Sequence, residues 1–169
     1  PTFNNKYMSF LPEDYTQPKS QGGNYTKLDK GETVLRILSS PIIGWETWIE
    51  LHGTDKPARC RAMADVPKGG RDTKHFWAMQ VWNYSMAKVQ IWQINQRTIQ
   101  DSIMNLVEDK DWGDPKRYDL KINKTGDKLE TRYTINPKPH SPAPEAAAFE
   151  MDLLKIDLDK LYDGEDPFA

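Results

Sequence analysis

Aromatic and β-branched residues crowd one stretch of this chain, 74–94 (KHFWAMQVWNYSMAKVQIWQI), at the alternating spacing of strands. The pattern predicts two strands joined by a turn at Ser85, Met86 and Ala87. Alternation places Phe76, Ala78, Gln80, Trp82 and Tyr84 on one face of the first arm, and His75, Trp77, Met79, Val81 and Asn83 on the other. In the second arm Val89 and Ile91 share a face, opposite Lys88, Gln90 and Trp92. The aliphatic face is the expected core. Trp82, Tyr84 and Trp92 are then expected on a platform for a flat, polar-edged ligand. A competing use for these rings is a second apolar layer beneath an N-terminal arm or a C-terminal helix.

Other elements follow on either side. Residues 33–39 (TVLRILS) read as a strand with Arg36 in otherwise apolar company, and 42–51 (IIGWETWIEL) resumes it after a bend at Ser39, Ser40 and Pro41. Gly44 marks a bulge or sharp bend within it. Residues 52–73 form a long irregular connection; through Lys74 it carries Lys56, Arg59, Arg61, Lys68, Arg71 and Lys74 against Asp55, Asp65 and Asp72. Ile99, Ile103, Leu106 and Val107 give a helical stripe over 96–109, capped by Asn95 or Thr98. Residues 118–122 and 130–136 alternate as a second hairpin, and 146–161 carries Phe149, Leu153, Leu154, Ile156, Leu158 and Leu161 as a short amphipathic helix. The order is one long bent strand, a long loop, two strands, a helix and two strands. That order predicts a mainly β protein, a five-stranded OB-fold barrel with one helix between strands three and four. Residues 1–30 are an irregular arm whose Phe3, Tyr7, Phe10 and Tyr15 are expected to pin it to the body, 31–140 the barrel, and 141–169 an acidic tail.

Composition refines this picture through its asymmetry. The chain has 169 residues and net charge −2, with 28% charged and 37% apolar residues. From Ser141 onward there are eight acids and two bases, net −6, leaving net +4 on residues 1–140. No apolar run approaches the roughly 18 residues of a membrane helix, and the start of the sequence gives no expectation of a secretory leader. One cysteine, Cys60, excludes an internal disulfide and a cysteine-built zinc site. It lies between Arg59 and Arg61, which would lower its pKa, but no base is placed to make it a nucleophile. His52, His75 and His140 lack metal-ligand spacing, and no glycine-rich phosphate loop is present. No enzyme, cofactor or metal is expected.

Several blocks, TVLRILSSPIIGW, KHFWAMQVWNY, IWQINQ, DWGDP and YTINPKP, occur in an order that resembles a family of tailed-bacteriophage single-stranded DNA-binding proteins. The resemblance covers Asn24 to His140. It implies a protein that coats single-stranded DNA without sequence specificity during replication, recombination or repair, in the cytoplasm of the host cell. Both the OB reading and the resemblance direct attention to Arg36, Arg59, Arg61, Lys68, Arg71, Lys74 and Lys88 for phosphates, and to Trp48, Trp77, Trp82, Tyr84 and Trp92 for bases. Trp45 and Trp48 have opposite parity in one strand, so only one of them is expected at the site. The acidic end resembles the tails of phage and bacterial single-strand binders, but it ends Pro-Phe-Ala and so lacks their terminal phenylalanine carboxylate. Asp166 and Phe168 are the expected hook for phage or host replication and recombination proteins. Read blandly, the tail is a solvated, disordered end; read sharply, it competes with DNA for the basic groove. Two other functions fit the same residues: a protein-interaction or virion-associated β-barrel, and an RNA-binding OB module.

Overall fold

The computed structural model describes residues 10–15 and 23–169. Seven antiparallel strands, β1 (Gly31–Ile37), β2 (Ile42–Leu51), β3 (Thr54–Cys60), β4 (Arg71–Asn83), β5 (Lys88–Ile94), β6 (Asp119–Thr125) and β7 (Arg132–Pro137), form one sheet. Two helices, α1 (Arg97–Glu108) and α2 (Glu145–Leu154), pack against it. Along the sheet the order is β3-β2-β4-β1-β6-β7, with β5 on the other edge of β4. The sheet does not close, because β5 and β7 do not pair. Residues 24–26 run along the free edge of β5 instead: the Thr26 amide donates to the Ile91 carbonyl and the Ile91 amide to that of Asn24.

The expected long first strand is two strands. β1 pairs with the end of β4 (Ile37 opposite Val81) and β2 with its beginning (Ile42 opposite Ala78), on the same edge, and Ser39 to Pro41 make the bend between them. The register shift lies between Glu46 and Trp48 and not at Gly44. Gly44 serves a different need. A Cβ there would collide with the Cys60 carbonyl and press on the Phe76 ring.

The first part of the expected long loop is β3, paired from Thr54 to Cys60 with β2, and an irregular connection remains from 61 to 70. Its two-residue turn, His52 and Gly53, has positive φ at both positions (52° and 77°), the geometry that matches the twist of a tight hairpin. Pro57 is tolerated because β3 lies at the sheet edge.

One face of β1, β4, β5 and β6 supplies Leu35, Ile37, Met79, Val81, Trp92, Ile94, Leu120 and Ile122, and α1 lays Ile99 and Ile103 onto them. Helix α1 matches the expected stripe but starts at Gln96 without a side-chain cap from Asn95 or Thr98. The opposite face of β4 and β5 is equally dry. There Phe76, Ala78 and Ile91 pack under Leu158 and Leu161 of a short 3-10 helix, Leu158–Asp163. Trp82 and Val89 pack under Ala147, with Met151 and Leu154 of α2 alongside. The tail is therefore neither a solvated end nor a single helix to Leu161: Lys155 adopts a left-handed φ of 46° that ends α2, and the chain turns back over the sheet. Phe149 and Leu153, expected on the packed face, are exposed. In the arm, Phe10 is fully exposed instead of pinned, Tyr15 is half exposed, and Phe3 and Tyr7 lie outside the described residues.

Trp92, cross-strand from Met79, is 2% exposed. Truncating a buried tryptophan leaves a large cavity, so Trp92→Ala should cost about 3–5 kcal/mol of stability. Chemical denaturation measures this directly; a loss below about 1 kcal/mol would mean that Trp92 is not packed in the core.

Candidate nucleic-acid interface

The β4–β5 hairpin does not present the expected aromatic platform. Trp82 lies opposite Val89 and Met79 opposite Trp92, and directly opposed residues share a face. Trp82 and Trp92 therefore point to opposite sides of the sheet, one under the tail and one in the core. Arg36, expected to follow phosphates, is 1% exposed. Its Nε donates to Asp119 Oδ1 at 2.7 Å, Nη1 to the Ser141 and Lys116 carbonyls, and Nη2 to Ser141 Oγ. It clamps β1 to β6 and to the root of the tail, buried away from any surface strand. The Tyr84 hydroxyl donates to the same Asp119 oxygen at 2.8 Å, so this half-exposed ring belongs to that cluster. Lys88, half-buried, sits opposite Asn83 where the hairpin turns.

The basic residues of the β2–β3–β4 arm divide by role. Arg59 turns inward: its Nη2 is 3.1 Å from Glu46, a carboxylate only 5% exposed, and its Nε donates to Gln93. Gln93 and Asn95 donate to the two Glu46 oxygens, so this buried charge is fully answered. Arg61 holds the tail, lying 4.1 Å over the Tyr162 ring and 3.7 Å from Asp159. Arg71 pairs with Asp55 at the exposed rim. Lys56, Lys68 and Lys74 are exposed and make no ion pair among the described residues. Trp48 lies opposite Pro57 and Arg71 and is 37% exposed; Lys74, opposite Glu46, shares its face, whereas Lys56, opposite Ile49, is on the other.

On the other side of the same arm the core face continues past α1 and opens. Trp45 stands opposite His75, their rings 5.0 Å apart, and Trp77 follows two residues on. These three, with Arg97, Asp101 and Met104, line a groove of about 330 Å³. Trp77 and Met104 also border a more apolar trough of about 300 Å³ that runs to Pro41 and Val107. Trp77, expected to meet a base, lines both hollows and also packs against the core; Trp45, His75 and Arg97 were not among the expected site residues. Their signal was the pairing of β2 with β4, which cannot be read without the hairpin that β3 forms.

Asp166 and Phe168 do not project as a hook. Asp166 Oδ1 accepts from the Phe168 amide, Pro167 is buried, and Phe168 meets Tyr25 edge-on at 6.4 Å. The Cys60 thiol is pushed up by burial and by Asp65, the reverse of the expected effect of its arginine neighbours. Among the described residues no group of three potential ligands could hold a metal, and no helix is long and apolar enough to cross a membrane. Comparison with models of protein families and with curated proteins finds no match to this chain.

Burial, and then the Asp119 hydrogen bond, push the Tyr84 phenol up to about 12; burial does the same for Tyr118. Because the folded chain holds the neutral phenols, their contribution is whole below the ordinary value of 10.0 and is lost as pH rises towards 12. Stability should fall across that window, and Tyr84→Phe should flatten part of the fall. Tyrosinate absorbance and denaturation at alkaline pH test this; titration of every tyrosine at its ordinary value would contradict it.

Proposed function

We propose that this chain is a sequence-independent single-stranded DNA-binding protein on an open OB-type barrel. Taking β1 and β2 as one bent strand, the first strand pairs with the second and fourth, the second with the third, and the fourth with the fifth. Helix α1 follows the third, as in the OB order. The third-to-fifth pairing that would close the barrel is replaced by residues 24–26 on β5 and by α1 lying across the gap. The reading is carried by one observation: exposed Trp48, and Lys56, Lys68 and Lys74 that make no ion pair among the described residues, are on the same β2–β3–β4 arm whose other side opens as the Trp45–His75–Trp77 groove. Aromatic faces accept any base, at about 1–3 kcal/mol each, and lysines neutralise phosphates without reading sequence.

On this reading the protein coats exposed strand during replication, recombination or repair, in keeping with the resemblance to phage single-strand binders. The strand follows the arm and leaves the tail in place. One observation favours a protein-binding barrel instead: the trough bordered by Met104 and Val107, each nearly half exposed.

Titration of the intrinsic tryptophan fluorescence with oligo-dT, against RNA and duplex competitors, separates these readings. Log affinity should fall with log salt at a slope of about −3 to −4, for four to six phosphates at roughly −0.7 each. Trp48→Ala should weaken binding by about 1–3 kcal/mol without lowering the melting temperature, and Lys74→Ala should flatten the slope by about 0.7. A flat salt response, or a Trp48→Ala variant that binds as wild type, would overturn the assignment to this arm.

A further inference from the structure

The groove at Trp45, His75 and Trp77 carries more chemistry than a general stacking surface. His75 Nδ1 is buried with no hydrogen-bond partner among the described residues. A neutral imidazole has one N–H, and a buried donor without an acceptor costs more than a buried lone pair. The proton therefore belongs on Nε2, which makes no hydrogen bond among the described residues and is not sequestered as Nδ1 is. The imidazole gives the groove an N–H donor of fixed position, beside the indoles of Trp45 and Trp77.

Its walls are held in place. β2 and β4 pair through Ile43–Trp77 and Trp45–His75, and Gln100 Nε2 ties α1 to β4 and β5 by donating to the His75 carbonyl at 3.1 Å and the Ile94 carbonyl at 2.9 Å. The other polar groups lining the groove are Arg97 and Asp101, whose nearest charged atoms are 3.8 Å apart on the solvent side, 90% and 60% exposed. A volume of about 330 Å³ admits one planar ring with room for its sugar.

We infer that this groove is a subsite for one nucleobase of the bound strand, its ring against Trp45 and Trp77 and an edge acceptor, a ring carbonyl oxygen or a ring nitrogen such as every base has, accepting from His75 Nε2–H. The inference rests on the single-stranded DNA reading and gives it a fixed point: one base is held by its edge while its neighbours only stack. The same donor would suit a phosphate oxygen, so the test separates base from backbone.

The probes are oligo-dT and an abasic deoxyribose-phosphate oligomer of equal length, titrated against the full chain at one salt concentration. Wild type should bind oligo-dT about 10-fold or more tighter than the abasic strand. His75→Phe keeps an aromatic ring and removes the donor; it should weaken oligo-dT about 3- to 10-fold and leave abasic binding within about 2-fold. Trp45→Leu, on the facing strand, should likewise weaken only oligo-dT and reduce the fluorescence quench, which keeps the test valid if His75→Phe folds poorly. Equal losses on both strands would make His75 a phosphate contact and overturn the subsite. So would oligo-dT affinity unchanged in both variants, or wild type binding the two strands equally, and either result leaves the DNA-binding reading standing. Wild type that binds neither strand overturns the function itself.

Discussion

Strand β4 has no free side over its second half. It shares backbone hydrogen bonds with β1 and β2 along one edge and β5 along the other, while one face lies on the core and the other under the tail. The β4–β5 hairpin is thus a middle layer, which explains how 13 residues can carry Phe76, Trp77, Met79, Val81 and Trp82 in an otherwise polar chain. It also decides where a ligand can go. The outer face of β4 and β5 is occupied in cis by the tail.

Magnitudes favour keeping the tail in place. Leu158 and Leu161 are at most 9% exposed, and burying two leucines is worth on the order of 3–6 kcal/mol. Removing the tail would also bare Phe76, Ile91 and Val89. A strand replacing it would need two or three well-stacked bases merely to break even, at about 1–3 kcal/mol each. The Arg61–Tyr162 contact and the Phe168–Tyr25 contact fasten the same segment to β3 and to residue 25. The acidic surface is therefore a fixed part of the molecule.

Much of this architecture was legible in the sequence. Helix α1 announced itself because Ile99, Ile103 and Leu106 repeat at helical spacing, and the β4–β5 and β6–β7 hairpins because their apolar residues alternate. The faces of β4–β5 were not legible. Alternation sorts one strand at a time, and only the register that sets Trp82 against Val89 tells which face of β5 joins which face of β4. Strand β3 was hidden for another reason: Thr-Asp-Lys-Pro-Ala-Arg-Cys has no apolar period, and backbone pairing to β2 holds it at the edge. The tail buries Ala147, Leu158, Leu161 and Pro167 from a helix, a 3-10 helix and a turn, so no single period marks it. Arg36 read as a surface base because an ion pair with Asp119, 83 positions away, has no local signature.

The central claim is that a single strand lies on the β2–β3–β4 arm while the tail stays on the outer face of β4 and β5. Amide hydrogen exchange of the full chain with and without oligo-dT tests it segment by segment. The account predicts slowed exchange in 45–61 and 70–77 on binding, with residues 145–169 unchanged. Faster exchange in 145–169, together with new protection over 78–93, would show the strand displacing the tail and would contradict the account.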